Sequence, residues 1–184
     1  MSESTYHTSV LLQECLTGLA IKPDGIYVDV TFGGGGHSKA ILAELGPEGR
    51  LYAFDQDPDA WKQADLIDDE RLTLITANFR YLEKYLRLHG VKQVDGILAD
   101  LGVSSFQLDA AERGFSTRFD GPLDMRMGPS ASTSAAEVLN TYSAGDLQKL
   151  FGMYGEIKNA KTLALAVVQA RTQKPLETTG EFKE

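Results

Sequence analysis

Four consecutive glycines (33–36) stand in the stretch VDVTFGGGGHS, and Asp55 lies twenty residues beyond Gly35. Glycine has no Cβ, so the backbone there can turn sharply and approach a ligand closely. A glycine-rich turn from strand into helix also aims free N–H groups and the positive helix end into one crevice. A carboxylate about 20 residues further on, at the end of the next strand, can accept both hydroxyls of an adenosine ribose. Asp55 follows the apolar run 51–54 and meets that requirement. Asp57, next to Pro58, competes for the role but reads better as a turn or N-cap residue. The third glycine of the dinucleotide pattern, counted from Gly33, falls at Ser38, which weighs against a nicotinamide cofactor. The bland alternative is a flexible glycine loop that binds nothing, and the spacing to Asp55 argues against it.

Other residues could carry chemistry around that crevice. Asp100 ends a fourth apolar run and leads into DLGVSSFQLD, so its carboxylate could accept a hydrogen bond from an amino group, or simply cap a turn. Gly102 permits close backbone approach, and Ser104 and Ser105 offer hydroxyls. Downstream, RGFSTRFDGPLDMRM combines Phe115 and Phe119 with Arg113, Arg118 and Arg126. Aromatic and guanidinium groups on one loop suit an unpaired base and its phosphate. A small hydrophobic cluster with solvated arginines fits the same residues. His7 could act as a base or as a structural hydrogen-bonding residue. His37 opens the helix after the glycines, where its imidazole or N–H could meet a ligand carboxylate, and His89 reads as a helix-end residue. No His/Cys/Asp/Glu set has convincing metal spacing, so no metal site is expected.

These residues need a frame, and the alternation of patterns supplies one. Four short apolar runs, at 26–30, 51–55, 72–76 and 96–100, read as parallel strands covered on both faces. Helical patterns at 37–45, 58–67 and 79–89 separate them, with Gly46 and Gly90 as expected C-caps. A leading helix at 9–17, closed by Gly18, precedes the first strand. Right-handed crossovers then build a doubly wound sheet with its ligand crevice at the strand C-terminal ends. Residues 101–129 lack a clean period and read as a long ordered loop. Helices follow without strands. Capping-box patterns stand at Ser134/Glu137 and Ser143/Asp146, and an amphipathic helix is expected at 157–171. A last capping box, Thr178/Glu181, announces a helix three residues before the sequence stops. Together with the incomplete sheet, this reads as a fragment of a longer protein.

The 184 residues carry a net charge of −8, divided unevenly. Up to Asp100 there are nine basic and sixteen acidic residues, but from Leu101 onward the two nearly balance at nine and ten. Nucleic-acid contact depends on Lys and Arg, so it is expected from the second part, where Arg113, Arg118, Arg126, Lys158, Lys161, Arg171 and Lys174 lie; scattered solvated charges fit the composition equally well. The one cysteine, Cys15, excludes an internal disulfide and reads as a small buried hydrophobe. No secretory signal or run of about 18 apolar residues is visible, which fits a cytosolic protein.

The combination of HTSVLL from His7, VDVTFGGGGHS, FDQDP, DLGVSSFQLD, RGFS, DGPLDMRM and YGE at Tyr154 resembles the bacterial RsmH (MraW) family. Its members are S-adenosylmethionine-dependent methyltransferases that modify N4 of a cytidine in 16S ribosomal RNA. The resemblance implies an α/β fold: a Rossmann-like class I methyltransferase core with a partial parallel sheet (1–105), and the start of an inserted α-helical domain (106–184). It implies that Gly35, Gly36 and His37 meet the methionine end of the cofactor, that Asp55 holds the ribose and that Phe79 lies against the adenine region. Asp100 and Gln107 complete the pocket, with Asp100 also the candidate catalytic group. Arg113, Phe115, Arg118 and Arg126 are the substrate-binding candidates. The implied partner is 16S ribosomal RNA in the small ribosomal subunit, with no membrane and with a homodimer left open. The chain departs from the family's YGEE at Ile157, and the family's further core strands are absent. A nicotinamide-dependent oxidoreductase and a non-catalytic cofactor- or RNA-binding module are the competing readings.

Overall fold

The computed structural model describes residues 9–184. His7, and with it the start of the HTSVLL motif, lies outside the described residues. The chain forms two compact units, one ending at Gly102 and one running Val103–Glu184.

In the first unit α1 (Leu12–Leu19) precedes β1 (Ile26–Asp29), α2 (Gly36–Glu44), β2 (Arg50–Phe54), α3 (Pro58–Ala64), β3 (Leu72–Ile75), a 3-10 turn (Phe79–Tyr81), α4 (Leu82–Leu88) and β4 (Gly96–Leu98). The four strands form one sheet in the order β3-β2-β1-β4. Every pairing is parallel, and Val28 sits opposite Tyr52 on one side and Ile97 on the other. Parallel strands cannot be joined by tight turns, so each connection carries a helix and both sheet faces are covered. The period of two along β1 sorts its side chains. Tyr27 packs with Leu16, Ile41, Leu42 and Leu51 on one face, while Val28 packs with Phe54, Ile75 and Leu86 on the other.

All four strands stop one or two residues before their expected ends, because the chain leaves the ladder to form the turns that follow. Asp57 is the N-cap of α3, accepting from Asp59 N at 3.0 Å with Pro58 in the first turn. Gly90, at φ 74°, ends α4 after the C-cap His89. Gly46 is not a cap. Its N–H donates to Pro23 O at 2.6 Å, and a Cβ there would lie 3.1 Å from that oxygen. Nor does Gly18 close the leading helix, which continues to Leu19 and ends with Ala20 in the left-handed region at φ 47°. The helix expected at 79–89 divides into the 3-10 turn and α4, since the Asn78 side chain accepts from Arg80 N and fixes a separate first turn. Cys15 is only half-buried at the border of the core.

The second unit contains α5 (Ser105–Asp109), a 3-10 turn (Ala111–Arg113), α6 (Ala135–Thr141), α7 (Ala144–Met153), α8 (Ala160–Arg171) and α9 (Thr179–Lys183). Its core gathers Leu123, Leu139, Leu147, Phe151, Ala164, Val167 and Leu176. The stretch expected as loop therefore holds a helix, and the cause is local. Ser104 caps Gln107 N while the Gln107 side chain returns to Ser104 N, which closes a capping box. The announced terminal helix forms as α9, with Thr178 and Glu181 in the same arrangement. Ile157 lies before α8 rather than in it and packs against the apolar core.

Candidate active site

The glycine turn leaves β1 at its C-terminal end and enters α2. Gly33 and Gly35 adopt left-handed backbone, φ 53° and 76°. At Gly35 a side chain is excluded twice over, since a Cβ would also lie 2.8 Å from the Phe32 ring. A Cβ on Gly36 would lie 2.1 Å from Ser9 Oγ. Gly35 is thus required by the protein's own packing, whereas at Gly36 the clash is with the end of the Ser9 side chain, which can rotate away. Gly33 differs: its nearest neighbour to a Cβ would be Thr31 O at 3.8 Å, so the turn is open on that side. The first-turn N–H groups of α2 have no acceptor within the helix.

Asp55 follows β2 and closes the turn from beside it. Its Oδ2 accepts from Gly33 N at 2.8 Å and its Oδ1 from Asp57 N at 2.9 Å. Burial pushes its pKa up, opposed by the N–H groups of Asp57 and Gly33 that favour the charged form. A carboxylate has about four acceptor sites, so the N–H groups of Gly33, Asp57 and, more weakly, Gln56 leave capacity for a ligand hydroxyl. The donor set of an open glycine turn and a half-buried carboxylate fits a ribose-bearing ligand. His37 is buried, and its Nε2 lies 3.1 Å from Val10 O, so its ring is engaged inside the unit and its backbone N–H is the group left at the turn. Phe79 stands just beyond β3 with 43% of its surface exposed. Asp100 is exposed beyond β4, its N–H donating to Thr31 Oγ1 at 2.8 Å.

Beneath the turn lies a residue that composition and spacing did not single out. Asp29 is completely buried at the end of β1. It accepts from Ser38 Oγ at 2.7 Å and from Thr31 N at 3.0 Å. Burial drives its pKa upward against those hydrogen bonds. The signal in the sequence is an acid inside an apolar parallel strand, with hydroxyl residues two and nine positions later.

The remaining candidates belong to the second unit. Gln107 is buried and its amide oxygen is held by Ser104 N at 3.0 Å. Arg113 lies over the Phe115 ring, 5.8 Å from its centre, and donates to Arg126 O at 3.0 Å. Arg126 is bound at both ends of its fork by Asp124, at 2.9 and 2.6 Å. It lines an open groove with Pro122, Ser134 and Glu177. Arg118 lies over Phe119 and pairs with Asp109 at 2.6 Å. The aromatic–guanidinium contacts are therefore present, but each of these arginines already has a protein partner. Among the described residues no acidic, histidine or cysteine cluster suits a metal, and no helix is long and apolar enough to cross a membrane.

The model of the MraW methylase family matches residues 4–184. Ribosomal RNA small subunit methyltransferase H of Flavobacterium johnsoniae is 60% identical over 97% of this chain and 59% of its own length. The proteins of that name from Amoebophilus asiaticus and Bacteroides fragilis are 56% and 54% identical over 98% and 99% of this chain, and 58% and 59% of theirs. The chain thus spans about three-fifths of the length of the relatives it matches. Fibrillarin of Aeropyrum pernix, solved with natively bound S-adenosyl-L-methionine, aligns at 17% identity and a TM-score of 0.39 over 86% of this chain and 63% of that one. With a family model matched almost end to end and relatives more than half identical, the chain belongs to the MraW methylase family.

Proposed function

We propose that this chain provides the S-adenosylmethionine-binding part, and part of the RNA-recognition part, of a methyltransferase acting on N4 of a cytidine in 16S ribosomal RNA of the small ribosomal subunit. The observation that carries it is the Asp55 carboxylate bonded to the glycine turn at the C-terminal end of a parallel sheet. Asp55 accepts a ribose hydroxyl. The backbone at Gly35, Gly36 and His37 meets the methionine carboxylate, and Phe79 covers the adenine. The second unit serves as the RNA-recognition element. There Arg113, Phe115, Arg118 and Arg126 engage the RNA, exchanging carboxylate or carbonyl partners for phosphate. The work is carried out in the cytoplasm.

Bound S-adenosylmethionine supplies a methyl group already activated by its sulfonium. A cytosine amino nitrogen is a poor nucleophile because its lone pair is shared with the ring. The protein's task is therefore alignment and release of that lone pair. The exposed carboxylate of Asp100 would accept an amino hydrogen and hold the proton that the nitrogen gives up when it takes the methyl group from sulfur, the sulfonium becoming a neutral thioether.

The test is incubation of the chain with small subunits lacking the modification and with methyl-labelled S-adenosylmethionine, followed by nuclease digestion. Label on N4 of cytidine supports the assignment, and label on another atom overturns it. Cofactor binding without any label supports a non-catalytic binding module.

A further inference from the structure

The last ladder bond between β1 and β4 is Val30 N to Leu98 O at 3.0 Å. Beyond it the two strands diverge, β1 into the glycine turn and β4 toward Asp100. One side chain spans that gap. The Thr31 hydroxyl accepts the Asp100 N–H at 2.8 Å and contacts Asp29 Oδ1 at 3.4 Å, while Thr31 N donates to the same oxygen at 3.0 Å. Asp29 is itself held from α2 by Ser38 Oγ at 2.7 Å.

We infer that Thr31 is a positioning residue, which fixes the backbone of Asp100 to the foot of the glycine turn and so sets where the Asp100 carboxylate stands. The chemistry of the relay gives it a direction. A threonine hydroxyl has one hydrogen. Asp29, surrounded by donors, draws that hydrogen toward itself and leaves an oxygen lone pair facing Asp100 N. The backbone N–H of Thr31 holds the same carboxylate oxygen, which keeps the residue from turning away. Asp100 has no such support of its own, being exposed and two residues past the end of β4. The inference rests on the proposed function only in giving Asp100 a role in the site.

The experiment compares Thr31→Val, which cannot accept a hydrogen bond, with Thr31→Ser, which can. Amide hydrogen exchange is followed by NMR at Asp100 and at Val30, the latter reporting the intact ladder. Thr31→Val is expected to speed exchange at Asp100 about tenfold, on the scale of one hydrogen bond, and to leave Val30 unchanged. Thr31→Ser is expected to stay near the parent protein. S-adenosylmethionine titration is then run on Thr31→Val alone and together with Asp100→Ala. The expected outcome is a loss of affinity of about tenfold that disappears when the Asp100 carboxylate is already gone, as coupled residues require. Unchanged exchange at Asp100, or losses that simply add, overturns the inference. A chain that binds no S-adenosylmethionine refutes the proposed function, while the exchange measurement still decides the role of Thr31.

Discussion

Gly33 N and Asp55 Oδ2 lie 2.8 Å apart, so the glycine turn after β1 and the acid after β2 are one hydrogen-bonded unit. The carboxylate proposed to meet the ligand and the glycine backbone beside it are therefore set by each other. Preorganisation of this kind lowers the cost of ordering a site on binding. It also makes the turn sensitive to changes that do not touch any ligand.

Gly35 is the clearest such position. Gly35→Ala places a Cβ in left-handed backbone and 2.8 Å from the Phe32 ring, a cost of about 2 kcal/mol or more. Gly102→Ala meets nothing within 4 Å and is expected to change stability by less than about 0.5 kcal/mol. Paired urea melts of the two variants check the contrast.

Ser38 is completely buried, and its hydroxyl supports Asp29. Ser38→Ala removes a hydrogen bond from a desolvated carboxylate, so a loss of about 1–3 kcal/mol is expected. Ser38→Thr, which retains the hydroxyl but adds a methyl in a closed space, loses stability through overpacking instead. Denaturant midpoints with unchanged m-values show both effects.

Asp29 gives a pH prediction whose sign follows from its burial. Its folded-state pKa stands above the ordinary 3.8. Its contribution to stability is fully present below the unfolded value and is lost as pH rises through the folded one. The loss amounts to about 1.4 kcal/mol for each pH unit between the two values. Asp29→Asn does not titrate, and its amide can accept from Thr31 and donate to Ser38. Thermal melts are expected to show Asp29→Asn gaining on the parent protein as pH is raised from 4 to 8. A variant that falls further behind with rising pH contradicts the burial argument.

Arg118 tests the RNA side. Its pairing with Asp109 is exposed on both partners, so Arg118→Ala is expected to leave the melting temperature nearly unchanged. Binding to a small-subunit RNA fragment should weaken. The dependence of log affinity on log salt should flatten by about 0.7, the contribution of one single-stranded phosphate contact. An unchanged salt slope removes Arg118 from the RNA surface.

How much of this was legible in the sequence depended on how local the cause was. Asp57 could be read as a cap because Pro58 fixes the helix start beside it, and Gly90 because it follows a polar helix end. Gly46 looked equally like a cap, yet its role is close approach to Pro23, a contact made 23 residues away that no local pattern signals. The Ser104–Gln107 box was readable in principle, but a short helix among glycines and prolines gives no period to notice. Asp55 is singled out in the sequence because ribose recognition requires a carboxylate at that spacing, and the fold places it against the glycine turn. Asp29 was missed because a buried acid shows its purpose only when Ser38 and Thr31 are folded around it.

Calorimetric titration of the chain with S-adenosylmethionine, beside Asp55→Ala, tests the central claim most directly. Saturable binding by the parent chain, lost in a folded Asp55→Ala variant, is the predicted result. A folded parent chain that takes up no cofactor, or an Asp55→Ala variant that binds as well as the parent, contradicts the account.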